Sequence, residues 1–100
     1  MQELSMDLIT GLPPARNEGG EIVDAIMVVV DRFSKYVRYF AVPLAHDGRY
    51  LADKLAPEFF RYGVPNRIVM DRDPRYVGNF WTNLYYHLRI EQRRSTTFHP

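Results

Sequence analysis

The apolar and polar positions of this chain change period along its length. Residues 3 to 10 alternate loosely and stop at Gly11-Leu12-Pro13-Pro14, where two prolines remove backbone donors and end any ladder. A first strand is expected there. Ala15 to Glu21 is polar around Asn17 and Gly19-Gly20, which predicts a flexible hairpin connection. Residues 22 to 30 form an almost continuous β-branched run, predicting a central strand buried on both faces. Asp31-Arg32-Phe33-Ser34-Lys35 supplies turn chemistry, and Tyr36 to Val42 alternates as a third strand ending at Pro43. Short connections between three consecutive strands imply an antiparallel meander.

Beyond Pro43 the period lengthens to that of a helix. Leu51, Leu55 and Phe59 recur every four residues beside Ala52 and Ala56, after Asp47 as a candidate N-cap and before Gly63 and Pro65 as stop signals. Pro57 interrupts this pattern. An interior proline deletes a backbone hydrogen bond and clashes with the preceding turn, at roughly 3 kcal/mol, so a kink or a helix broken in two is expected. Arg67 to Met70 predicts a short fourth strand. Trp81, Leu84, Tyr85 and Leu88 then mark a second helix capped by Gly78 or Asn79, and Ile90 to Ser95 suits a fifth strand. The expected class is a mixed α/β (α+β) domain whose sheet combines a three-strand meander with two parallel strands.

Composition narrows the function less than the pattern narrows the fold. One hundred residues make one domain's worth of chain, able to bury roughly 60 to 65% of its unfolded surface. There is no cysteine, which excludes disulfides and thiolate metal sites. No apolar run approaches the ~20 residues of a membrane span, and the N-terminus lacks the form of a signal peptide. A soluble, intracellular protein without a membrane partner is the expectation. A net charge of +1 makes no general case for polyanion binding, so local clusters matter. Arg72 and Arg75 flank Asp71, and Arg89, Arg93 and Arg94 gather further on.

Two aspartates carry the chemistry. Asp7 and Asp71 each close an apolar run that reads as a strand, and the right-handed crossover rule places the fourth strand beside the first. The two carboxylates can therefore meet. Mg²⁺ takes hard oxygen ligands, often one or two carboxylates plus substrate phosphate oxygens, so the pair suits Mg²⁺ or Mn²⁺ at a phosphodiester site. Asp7, expected to be buried at the sheet centre, is the better candidate to bridge two ions.

The stretches SMDLITGLPP, IMVVVDRFSKYVRYF, RYGVPNRIVMDRDPRYVGNFW and STTFHP, in this order, resemble the catalytic core of retroviral and gypsy-type retrotransposon integrases over nearly the whole chain. That resemblance implies a ribonuclease-H-like fold with a D, D, E metal triad, in which Asp7 and Asp71 match the two aspartates. It implies DNA integration by a polynucleotidyl transferase, with retroelement ends and target DNA as partners, Mg²⁺ or Mn²⁺ as cofactor and a nuclear site of action. In the family the glutamate follows the second aspartate by about 35 residues and completes the two-metal site, which places it beyond Pro100. Residues 1–100 would then be a partial catalytic core with its C-terminal helices missing. Arg72, Arg75, Arg94 and His99 are the candidate nucleic-acid contacts, and a homo-oligomer is a further expectation.

Plainer roles stand beside these. Asp73, preceding Pro74, reads as a turn residue, and Asp24 and Asp31 as edge and turn residues. Phe80, Trp81 and Tyr85 have the spacing of a helix core. On a strand, Arg93 and Arg94 would lie on opposite faces. A rival to the enzyme is an inactive remnant that binds nucleic acid or protein through its arginines. Another is a structural relic with an exposed apolar sheet face.

Overall fold

In a computed structural model, backbone is described for residues 3–94 and side chains as far as Arg89. The chain is a mixed α/β protein in two compact units. One holds the strands through His46 together with Pro65–Asp71; the other holds Asp47–Val64 and the helix that begins after Arg72.

The first unit is built on strands β1 (Glu3–Ile9), β4 (Ala25–Asp31), β5 (Val37–Val42) and β6 (Arg67–Met70), arranged in the order β5-β4-β1-β6. β1 and β5 each run antiparallel to β4, which is the expected meander. β6 joins the other side of β1 in parallel, making the sheet mixed. The polar connection after β1 forms a small hairpin of its own, β2 (Ala15–Arg16) with β3 (Ile22–Val23). Its turn is closed by Asn17, whose side chain accepts from the Glu21 amide at 2.9 Å.

Period-two alternation decides which side chains leave water. Leu4 and Met6 on β1 and Ala25, Met27 and Val29 on β4 are buried, whereas Ser5, Ile26, Val28 and Val30 on the other face are half-buried. The central strand is therefore closed on one face only, correcting the expectation of burial on both. On β5 the same open face carries the exposed Val37, Tyr39 and Ala41.

The second unit pairs α1 (Gly48–Tyr62) with α2 (Pro74–Arg94). Asp47 caps α1, its carboxylate accepting from the Tyr50 amide at 2.9 Å. Gly63 ends the helix at φ 96°, a conformation costly for any side chain. Pro57 does not break α1. It is exposed, while Leu51, Ala52, Leu55, Ala56 and Phe59 are buried on both sides of it, and packing along that stripe offsets the lost hydrogen bond.

α2 departs further from expectation. It starts at Asp73-Pro74, with the Asp73 carboxylate accepting from the Tyr76 amide at 2.9 Å and proline at the first helical position, so Gly78 and Asn79 are interior. It also runs on through Arg94, so residues 90–94 are helical and the fifth strand is absent there. The main sheet has four strands among the described residues. The buried face of α2 is Tyr76, Phe80 and Leu84, four residues apart; Trp81 is half-buried and Tyr85 exposed.

Gly48 explains how the two helices meet. A Cβ there would collide with the Tyr76 carbonyl and lie 2.6 Å from the Phe80 backbone nitrogen. Only glycine permits that approach. Further along, His87 Nε2 meets Asp53 Oδ1 at 2.5 Å. With Gly48 beside the start of α2 and Asp53 beside a later turn, the helices run the same way with their N-terminal ends together.

Candidate functional site

The acidic pair is set by strand register. β1 and β6 pair from Glu3↔Arg67 through Met6↔Met70. Asp7 and Asp71 are the next residues on each strand, one step past the last paired rung. Adjacent strands lie about 5 Å apart, and Asp71 follows the last residue of β6 while Asp7 remains inside β1. Asp7 sits over an interior strand, but its side chain is exposed rather than buried. The reason is alternation: Leu4 and Met6 take the buried face and leave Asp7 on the open one with Ser5. One of its oxygens accepts the Leu8 amide at 3.0 Å, which leaves the other available. Asp71 is exposed as well.

Carboxylate oxygens such as those of Asp7 and Asp71 are hard donors of the kind Mg²⁺ and Mn²⁺ take, with waters and phosphate oxygens completing the shell. Among the described residues, no group of three His, Cys, Asp or Glu side chains could hold a metal ion.

The candidate basic residues fall in the second unit. Arg72 places its guanidinium 4.3 Å from the centre of the Tyr76 ring, and Arg75 is exposed in the first turn of α2. Tyr76 is buried, and chiefly for that reason its hydroxyl pKa is pushed up to about 12; the Asp47 carboxylate adds to the rise and Arg72 opposes it. Arg94 ends α2 as a helical residue, so the opposite-face argument for Arg93 and Arg94 on a strand does not hold. His99, like the STTFHP stretch that contains it, lies outside the described residues.

Asp31 is the turn residue expected, whereas Asp73, expected in a turn, caps a helix. Asp73 is the α2 cap, Asp24 accepts the Leu44 amide at 2.6 Å, and Asp31 closes the β4–β5 turn by accepting from Phe33 at 3.0 Å and Ser34 at 3.4 Å. Those amides, Phe33 first, hold the Asp31 carboxyl below its ordinary pKa. The cap at Asp73 was legible as an Asp-Pro pair ahead of a helical pattern. No helix among the described residues is long and apolar enough to cross a membrane. No protein-family model matches the chain.

Proposed function

We propose that this chain is the core of a polynucleotidyl transferase of the DNA-integrase type, built on a ribonuclease-H-like sheet, with Asp7 and Asp71 as its metal-binding carboxylates. The observation that supports this reading is the Met6↔Met70 rung of the parallel β1–β6 pairing, which Asp7 and Asp71 each follow directly in sequence. The order of the SMDLITGLPP, IMVVVDRFSKYVRYF and RIVMDRDPRY stretches supports it. A divalent ion bound there would polarise a phosphodiester and activate the attacking oxygen. Asp7 and Asp71 would hold that ion and orient it, and the arginines at the start of α2 would take the DNA backbone.

Complete strand transfer needs a third acidic ligand; on this reading Asp7 and Asp71 by themselves would hold a metal ion without efficient joining. Mn²⁺ titration by calorimetry tests this. Asp7→Asn and Asp71→Asn should each weaken binding at least tenfold, and unchanged Mn²⁺ affinity in both variants would refute the assignment. Robust joining of DNA ends by the 100-residue chain, lost in Asp71→Asn, would show that the site is complete without that ligand.

A second reading, nucleic-acid binding without chemistry, is favoured by the helix pair. The N-terminal ends of α1 and α2 lie together, each capped by an aspartate, Asp47 and Asp73, and Arg49, Arg72 and Arg75 stand within two residues of those caps in sequence. Such binding would weaken steeply with salt and would not need a divalent ion.

A further inference from the structure

The segment from Arg32 to Tyr39 alternates cations and aromatics in steps of three: Arg32, Lys35 and Arg38 against Phe33, Tyr36 and Tyr39. No acidic residue occurs from Arg32 through His46. The three aromatics are 91%, 64% and 68% exposed, which is unusual for a protein that buries Phe80 and Phe59 almost completely. They occupy the β4–β5 turn and β5, the edge strand on the opposite side of the sheet from β6. Because Asp31 pairs with Leu4, the turn also lies at the far end of β1 from Asp7.

The turn is held firmly. Asp31 accepts the Phe33 and Ser34 amides through its side chain, and its backbone exchanges bonds with Tyr36 at 2.9 Å and Lys35 at 2.7 Å. The Arg32 amide bonds to Glu3, and the Ser34 hydroxyl accepts from the Tyr36 amide. Lys35 takes a left-handed φ of 67°, a conformation an L side chain adopts only under local constraint. Phe33 thus projects from a preorganised loop. Its exposure is not a consequence of slack chain.

We propose that this turn and edge form a second contact surface, apart from the acidic pair, that stacks the bases of single-stranded nucleic acid. Exposed π faces beside a cation suit a flexible polyanion whose bases are unstacked, because each base offers a ring to Phe33 or Tyr36 while Lys35 reaches phosphates; Arg38 lies over the Phe40 ring, and Tyr39 adds a ring on the other face of the edge strand. Arg32 contributes less charge, since its guanidinium is 3.1 Å from the Glu3 carboxylate. A duplex keeps its rings inside and offers only the phosphates. The surface therefore favours single strands over duplex.

The test is fluorescence anisotropy of the intact chain with a labelled oligo-dT and with a duplex of equal length, both in EDTA so that metal at Asp7 and Asp71 plays no part. Oligo-dT should bind more tightly than duplex, and Phe33→Ala and Tyr36→Ala should each weaken it on the order of tenfold. Both side chains are exposed, so the circular dichroism and melting temperature of the variants should match the parent, and their Mn²⁺ affinity should be unchanged. Equal affinity for duplex, oligo-dT binding indifferent to both substitutions, or attachment through Phe33 to anionic vesicles in place of oligo-dT would each overturn the proposal. Failure here leaves the acidic-pair reading standing, and loss of Mn²⁺ binding elsewhere leaves this one standing.

Discussion

Gly48 lies so close to the Tyr76 carbonyl that the first turn of α1 and the first turn of α2 share one space. A methyl group at that position has nowhere to go, because its neighbours are backbone atoms and cannot rotate aside. Gly48→Ala should therefore destabilise the protein by about 2–3 kcal/mol, even though alanine is intrinsically the better helix former. Urea melts of the two proteins provide the check; an unchanged or raised midpoint would show that the helices do not approach in this way.

On the proposed reading Asp7 and Asp71 share one ion, and as like charges they repel one another when no cation lies between them. In EDTA, Asp71→Asn should raise the melting temperature slightly. In millimolar Mg²⁺ or Mn²⁺ the order should reverse, with the parent chain gaining more than the variant. Melting curves with and without metal that move in parallel for both proteins would separate the aspartates from any shared ion.

Tyr76 predicts an alkaline weakness. Its folded pKa is raised to about 12 from an ordinary value of 10.0, so the folded form keeps a proton that the unfolded chain gives up. The stabilisation is fully present below pH 10 and is lost as pH rises through about 12. Tyr76→Phe should flatten that part of the stability profile. Stability curves of identical slope above pH 10 would remove Tyr76 as the cause.

Asp31 predicts the opposite dependence. Its folded pKa is lowered from 3.8 by the Phe33 and Ser34 amides, so its contribution is present above that value and lost on acidification below it. Asp31→Asn should blunt the acid sensitivity of the β4–β5 turn, seen as amide exchange at Phe33 and Ser34 that changes less between pH 5 and pH 3 than in the parent. Equal changes in the two proteins would assign the acid response to other carboxylates.

Much of this arrangement was written locally. Alternation in residues 3 to 10 and 36 to 42 marked the strands, the four-residue spacing of Leu51, Leu55 and Phe59 marked α1, and Asp47 and Gly63 bounded it, because caps and periodicity depend on near neighbours in sequence. The pairing of β6 with β1 also followed, from the rule governing a helical crossover between strands. Other features needed the tertiary structure. Whether residues 90–94 extend a helix or begin a strand turns on propagation from Tyr76, Phe80 and Leu84 upstream, since helix growth is cooperative and short apolar runs fit either form. Pro57 looked like a kink until the buried stripe on both sides of it was seen. Asp7 was expected inside because its strand is interior, yet a side chain's depth is set by which face its rung presents, and only the pairing of Met6 with Val29 and Met70 fixes that.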